Sequence, residues 1–287
     1  MGLRVALVST VPEAVQALRG MLDGLGHEAV AVVTRPRLGF PGVDEVVQAA
    51  EGVDVIVPAS KARIAPLLRV YEPDLLLCLA FPWLIPGDAL DVPRLGAVNT
   101  HPSLLPRYRG PNPIGWMFRN DDPEVGLTFH RMDDAFDTGA ILAQGSAPID
   151  EEDDLETLGE RKLGPLAAAL LPTVLERVVA RDPGDPQPDE GATYAGLFAA
   201  DEWLEVDWTR TAREVHNQVR SWTLPSVSGL RGPFAQLEGE RVRVAKTRLD
   251  AAVDASGSPG DVLRREEGNL LVQCGDAPIW VVATEPA

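Results

Sequence analysis

The feature that most constrains this chain is an alternation, over its first hundred residues, between short continuous apolar runs and segments with apolar residues at helical spacing. Leu3–Val8 is an apolar run rich in β-branched residues, and the stretch Pro12–Gly24 that follows places Val15, Leu18, Met21, Leu22 and Leu25 along one helix face. His27–Val33, Val53–Val57 and Asp74–Leu79 (DLLLCL) read as further strands, Ile64–Tyr71 as a helix, and Gly96–Thr100 as another strand. Strands this uniformly apolar are buried on both faces, which requires a mostly parallel sheet with helices on either side. Ligands of such sheets bind outside the carboxyl ends of the strands, so the end of Gly96–Thr100 is where a site is expected.

Farther on, residues from Asp150 (DEEDDLETLGERKLGPLAAALLPTVLERVVA) predict a helix pair beginning at Leu155, with carboxylates placed where a helix N-terminus favours them. The stretch 181–192 (RDPGDPQPDEGA) is dense in proline, glycine and acid and reads as a linker on composition. Residues 211–222 then form one amphipathic helix, with Val215, Val219 and Trp222 on a common face. Short runs follow at 233–239, 241–246, 261–263, 270–273 and 279–283, separated by glycine-containing turns. Several short strands in this arrangement indicate a small β-barrel. The expected division is a catalytic α/β domain over 1–190, a linker over 191–205 and a barrel over 206–287.

Charge narrows the partners. The chain has 287 residues with 26 Lys and Arg against 43 Asp and Glu, a net charge of −17. Residues 206–287 are near neutral, with 10 bases and 11 acids, so the excess acidity lies in the first part. Long-range repulsion of polyanions argues against DNA, RNA or an anionic membrane as the main partner. Cys78 and Cys274 form neither a disulfide framework nor a metal-ligand spacing, and a reducing cytoplasm is expected. The opening MGLRVALVSTVPEAV has too short an apolar stretch for a signal-peptide core, and no run approaches a membrane span.

The strand Gly96–Thr100 ends in a dense cluster of special residues, 99–110, NTHPSLLPRYRG. Asn99 and His101 are two apart at a strand end, so their side chains leave the same face. Asp137 stands in DDAFDTG, where Gly139 permits a tight turn. Histidine, amide and carboxylate together suit acyl-type transfer without a covalent enzyme intermediate: a proton relay, a donor to a developing oxyanion, and a carboxylate that supports the imidazolium. Each residue also has a structural reading, as a satisfied buried histidine, a turn amide and a turn acid, and spacing leaves both readings open. Ser103 lies in no nucleophile elbow, the four histidines have no metal-binding spacing, and no G-x-G-x-x-G follows the first strand, which disfavours a dinucleotide.

The stretches NTHPSLLPRYRGPNPIGW and GLTFHRMDDAFDTGAIL resemble the signature of the folate-dependent formyltransferases, and EVDWTRTAREVHNQVRSW with GPFAQLEGERVRVAKTR is similar to that family's C-terminal domain. The resemblance implies a Rossmann-like N-terminal formyltransferase domain with a small C-terminal OB-like β-barrel domain. It implies Asn99, His101 and Asp137 as catalytic residues, 10-formyltetrahydrofolate as formyl donor, and no metal. Phe81, Trp83, Leu84, Ile85, Met132, Asp134 and Phe136 are implied as the donor's binding residues, with core packing the alternative for Phe81, Trp83 and Leu84. Tyr108 and Arg109 are expected either to face the acceptor or to hold the signature loop.

For the acceptor, the family's tRNA-directed members carry basic surfaces, whereas the early segment TRPRLGFPGVDEVVQAA has only Arg35 and Arg37 and the barrel is neutral. A small amine, such as an amino sugar nucleotide or amino acid derivative, is therefore expected, with methionyl-tRNA as the alternative. Sharing of one face by Arg210, Arg213, Arg220, Arg231, Arg241, Arg243 and Lys246 would reverse that preference. Two further alternatives are a hydrolase using water as acceptor and a folate-binding protein without catalysis.

Overall fold

The computed structural model describes residues 2–35, 42–199, 203–226, 229–250 and 256–287, so Arg37 and part of the expected linker, residues 200–202, lie outside the described residues. The chain divides into two compact units, one of Met1–Gly110, Gly126–Ala147 and Glu160–Tyr194, the other of Pro111–Val125, Pro148–Gly159 and Ala195–Ala287.

The first unit is built on seven strands: β1 (Arg4–Ser9), β2 (Glu28–Val33), β3 (Val55–Ile56), β4 (Leu75–Leu79), β5 (Ala97–His101), β6 (Glu124–Arg131) and β7 (Ile141–Pro148). They lie in the order β3-β2-β1-β4-β5-β6-β7. β1 to β5 pair in parallel, and β6 runs antiparallel to β5. The helices of this unit are α1 (Pro12–Gly24), α2 (Val43–Ala50), α3 (Ile64–Leu68), α4 (Gly87–Leu90) and α7 (Gly164–Val179), whereas α5 (Pro113–Arg119), α6 (Leu155–Leu158) and α8 (Ala212–Ser221) belong to the second.

Alternation along the strands creates two cores. Val5, Leu7, Leu75, Leu77 and Val98 join α1, α2 and α7 on one face, through Val15, Leu18, Val46, Leu171 and Val174. Ala6, Val8, Leu76, Cys78 and Ala97 join Ile64, Leu68 and Ala89 of α3 and α4 on the other. This is the doubly wound, Rossmann-like arrangement that the apolar runs predict. β1 and β4 are neighbours from which the chain departs to opposite sides, and beyond their ends Thr10 Oγ1 donates to the Ala80 carbonyl at 2.9 Å. The helix pair expected from Leu155 is α6 and α7, joined by a π-helical turn over Gly159–Leu163. Residues 181–194, linker-like in composition, pack within the first unit: Asp185 and Ile141 exchange backbone hydrogen bonds, and Thr193 bonds to Pro106 and Arg109.

In the second unit β8 (Phe234–Leu237), β9 (Glu240–Leu249), β10 (Val262–Glu266), β11 (Asn269–Gln273) and β12 (Pro278–Pro286) form an antiparallel sheet in the order β10-β11-β12-β9-β8. Register breaks between β9 and β12 curl it into an OB-like half-barrel around Val219, Ala235, Leu237, Val244, Val272 and Val281. α8 starts with a reciprocal Thr211–Glu214 capping box and buries Ala212, Val215 and Val219. The expected Trp222 is also buried, one residue past the helix end.

Candidate active site

Asn99 and His101 lie at the end of β5 on the same side as Ala97, and therefore on the face covered by α3 and α4. The antiparallel β6 sets His130 opposite Asn99 and Thr128 opposite His101. Asp137 comes from the loop after β6, with φ of +57°, a left-handed conformation uncommon outside glycine. Gly139 makes that turn possible: a Cβ there would lie 1.9 Å from the Arg131 carbonyl oxygen, so only glycine lets the loop fold back against β6.

Asp137 is 8 % exposed, and its Oδ2 accepts the Gly110 N–H at 2.8 Å. Its Oδ1 is a hub: Asn99 Nδ2 lies 3.3 Å away, His101 Nδ1 3.5 Å and His130 Nε2 3.6 Å. The three residues singled out from the sequence thus meet in one place, together with His130, which the sequence reading left out. Each imidazole has its other nitrogen committed. His101 Nε2 donates to the Tyr108 carbonyl and His130 Nδ1 to the Arg131 carbonyl, both at 2.8 Å. Burial holds His101 below the ordinary histidine range and outweighs the upward pull of the Asp137 carboxylate and the Tyr108 carbonyl. Burial pushes the Asp137 carboxyl up, but the polar groups around it, the Gly110 N–H among them, more than offset this and hold it below the usual carboxylate range. The resting state is therefore a carboxylate beside a neutral His101. Cys78, paired across the sheet with Asn99, is a buried thiol pushed up to about 12 by burial and by Asp137, which makes it inert.

The loop 101–110 is fixed by its own polar groups. Ser103 Oγ donates to the Arg107 carbonyl, and Thr128 Oγ1 donates to the Ser103 carbonyl while accepting the Leu105 N–H. Ser103 is fully buried, in keeping with a structural role. Tyr108, at φ +58°, donates its N–H to Thr193 Oγ1. Gln187 ties this loop to the Asp137 turn. Its Oε1 accepts Arg109 Nε and Nη2 at 3.0 and 2.7 Å, and its Nε2 donates to the Asp137 and Gly139 carbonyls at 2.9 and 2.7 Å. Tyr108 and Arg109 accordingly hold the loop. Gln187 was hidden from sequence reasoning inside the linker-like stretch.

The residues expected to bind the donor lie in two neighbouring loops. Phe81, Trp83 and Met132 are partly buried against the core on the Asn99 face, with Phe81 and Trp83 edge to face at 6.0 Å and the Arg35 guanidinium 4.0 Å from the Trp83 ring centre. Leu84 is half-buried, Asp134 exposed and Phe136 50 % exposed, whereas Ile85, at 1 %, is a core residue. The loops abut, since a Cβ on Gly87 would sit 3.2 Å from Asp134 Oδ1. Exposed aromatic and thioether surface beside a polar cluster fits a flat heteroaromatic ring with a polar edge. Among the described residues no group of three or more His, Cys, Asp or Glu is arranged to hold a metal ion, and no helix is long and apolar enough to cross a membrane.

The cations of the second unit are mostly paired within it. Arg241 meets Glu205, Arg243 meets Glu285, Lys246 meets Asp154 and Arg213 meets Asp121 and Glu151. Arg210 lies near Asp207 and Glu214. Arg220 is half-buried over the Phe118 ring and donates to the carbonyls of Asp150, Glu151 and Asp153, and desolvation there pulls it down to about 10.

Comparison with known proteins places this geometry in a family. Residues 16–175 match the family described as formyl transferase, and residues 200–287 match the formyl transferase C-terminal domain. A methionyl-tRNA formyltransferase of Pelobacter propionicus is 34 % identical over 96 % of this chain and 86 % of its own length. An N-formyltransferase from Helicobacter canadensis, solved with folinic acid and dTDP-3-aminofucose, is similar in fold, with a TM-score of 0.66 at 16 % identity over 98 % of this chain and 99 % of that one. A phosphoribosylglycinamide formyltransferase from Bacillus halodurans is 26 % identical over 62 % of this chain and 95 % of its own, with a TM-score of 0.52. With both of its parts matched, the chain belongs to the formyl transferase family and is a formyl-transferring enzyme.

Proposed function

We propose that this enzyme moves the formyl group of 10-formyltetrahydrofolate to the α-amino group of methionyl-tRNA, with Asn99, His101 and Asp137 carrying the chemistry. The observation that carries the acceptor assignment is the 34 % identity to a methionyl-tRNA formyltransferase over nearly the whole chain. The donor supplies an activated formyl carbon on a nitrogen that can leave. The neutral amine attacks that carbon, and the Asn99 amide N–H donates to the oxygen as it becomes an oxyanion. His101 Nδ1, bare in the resting state, takes the proton released by the attacking nitrogen. Asp137, 3.5 Å away, stabilises the imidazolium so formed. The same proton passes to the departing folate nitrogen as the carbon–nitrogen bond breaks, which leaves the site as it began. Catalytic action in the reducing cytoplasm accords with two free, buried cysteines.

Net charge favours a small amine, and the self-paired cations of the second unit favour it too. Exposed ion pairs are worth only about 0–1 kcal/mol, however, so a phosphate can replace a carboxylate partner at little cost. The assay is formylation of charged initiator tRNA alongside amino sugar nucleotides and free amino acids. Efficient transfer to the tRNA, falling steeply with added salt, is expected. Transfer confined to a small amine would overturn the acceptor assignment, and rapid formate release without any amine would identify a hydrolase. Asn99→Ala is expected to lose roughly 10²–10³ in rate, the usual cost of an oxyanion donor.

A further inference from the structure

His130 is absent from the three-residue mechanism above, yet its ring is part of the same cluster. It is 2 % exposed, and its ring stands 79° from that of His101 with centres 6.5 Å apart. A carbonyl oxygen can only accept, so the 2.8 Å contact with the Arg131 carbonyl fixes the proton of neutral His130 on Nδ1 and leaves Nε2 a bare acceptor. That lone pair has a donor in reach: Asn99 Nδ2 at 3.2 Å.

Asn99 Nδ2, His130 Nε2 and Asp137 Oδ1 form a triangle with sides of 3.2, 3.3 and 3.6 Å. One amide N–H directed between the two acceptors serves both. The second N–H of Asn99 then remains for the substrate oxygen. A protonated His130 would turn a donor toward Asn99 and break this arrangement. The groups facing His130 are Asn99, Asp137, His101 and the Arg131 carbonyl.

We infer that His130 is a positioning residue for formyl transfer: with the proton of its neutral form on Nδ1, where the Arg131 carbonyl accepts it, its Nε2 accepts from the Asn99 carboxamide and aims that amide at the developing oxyanion. The inference rests on the proposed chemistry of Asn99, His101 and Asp137, but its spectroscopic test does not. Nitrogen NMR of the full-length protein labelled with ¹⁵N-histidine, assigned by loss of signals in His130→Gln, should show at pH 7 a protonated Nδ1 and an unprotonated Nε2 at residue 130. A proton on Nε2, or on both nitrogens, would overturn the inference whatever the enzyme's acceptor.

The kinetic arm compares His130→Leu, which cannot accept a hydrogen bond, with His130→Gln, which can. His130→Leu should lower kcat by roughly 10- to 100-fold with KM for 10-formyltetrahydrofolate within about twofold of the wild type, the size expected for losing one oriented hydrogen bond in the transition state. His130→Gln should stay within about threefold of the wild-type kcat and keep the acid limb of the pH–rate profile, because His101 carries the proton. Wild-type kcat in His130→Leu, equal impairment of the two variants, or loss of the acid limb in His130→Gln would each refute it. Should His130→Leu fail to fold, the His130→Gln profile and the NMR tautomer decide the matter. A wild-type protein that transfers no formyl group while showing the expected tautomer would instead count against the proposed function.

Discussion

Replacing Asp137 by Asn separates what that residue does in the resting enzyme from what it does during turnover. At rest His101 is neutral with a bare Nδ1. An amide at position 137 can keep its oxygen toward the Gly110 N–H and turn its nitrogen toward His101 Nδ1, 3.5 Å from the present Oδ1. The weak contact with Asn99 is exchanged for a new donor–acceptor pair, a buried charge is removed, and asparagine tolerates φ of +57° well. Stability should change by no more than about 1 kcal/mol, a shift of a few degrees in Tm. In turnover the sign reverses. The imidazolium loses a carboxylate at 3.5 Å, an attraction of about 5 kcal/mol at an effective dielectric of 20, and the new amide N–H occupies the lone pair that must take the proton. Allowing for partial compensation, a barrier increase of about 3–5 kcal/mol corresponds to roughly 10²- to 10⁴-fold in kcat. Single-turnover formylation and a thermal melt on the same preparation check both halves. A kcat within tenfold of the wild type would refute the charge-stabilising role, and a melting point lowered by ten degrees would refute the resting-state assignment.

Three other outcomes follow from the same contacts. Gly139→Ala should unseat the Asp137 turn, since the new methyl group would sit 1.9 Å from backbone; a loss of 1–3 kcal/mol or more, read by denaturant melts, is expected together with a large drop in kcat. Gln187→Leu removes all four hydrogen bonds between Arg109 and the Asp137 turn and should cut kcat by about tenfold, with no additional effect in an Asp137→Asn background if it acts through Asp137. His216 in the second unit is pulled down to about 4 by burial, and also lies near Arg220 and Arg213, with its nitrogens on Thr247 Oγ1 and the Glu151 carbonyl. Its folded pKa lies below its unfolded one, so its stability contribution is intact above pH 6.5 and is lost as the pH falls toward 4, about 3 kcal/mol in all; His216→Gln should flatten that part of a stability-versus-pH curve.

What could be read from the sequence depended on whether a residue's neighbours are fixed by local periodicity. The strands of the first unit up to β5, helices α1 and α8 and all five strands of the second unit were legible, because alternation and helical spacing report which face each side chain takes. The sharing of a face by Asn99 and His101 is of this kind, a period of two along one strand. β6 and β7 were missed because a mixed glycine, threonine and histidine content hides the alternation of Leu127 and Phe129 toward one core with Thr128 and His130 toward the site. Had Glu124–Arg131 been read as a strand antiparallel to Gly96–Thr100, His130 would have fallen opposite Asn99. That pairing depends on strand order, which no local pattern encodes. Gln187 lies still further from view. Its amide is useful because a segment of proline, glycine and acid returns to cover the Asp137 turn, and composition alone gives such a segment the look of a solvated linker. Residues that carry the reaction can thus be found from chemistry concentrated in a short stretch, whereas those that aim them come from chain segments whose only shared property is their place in the fold.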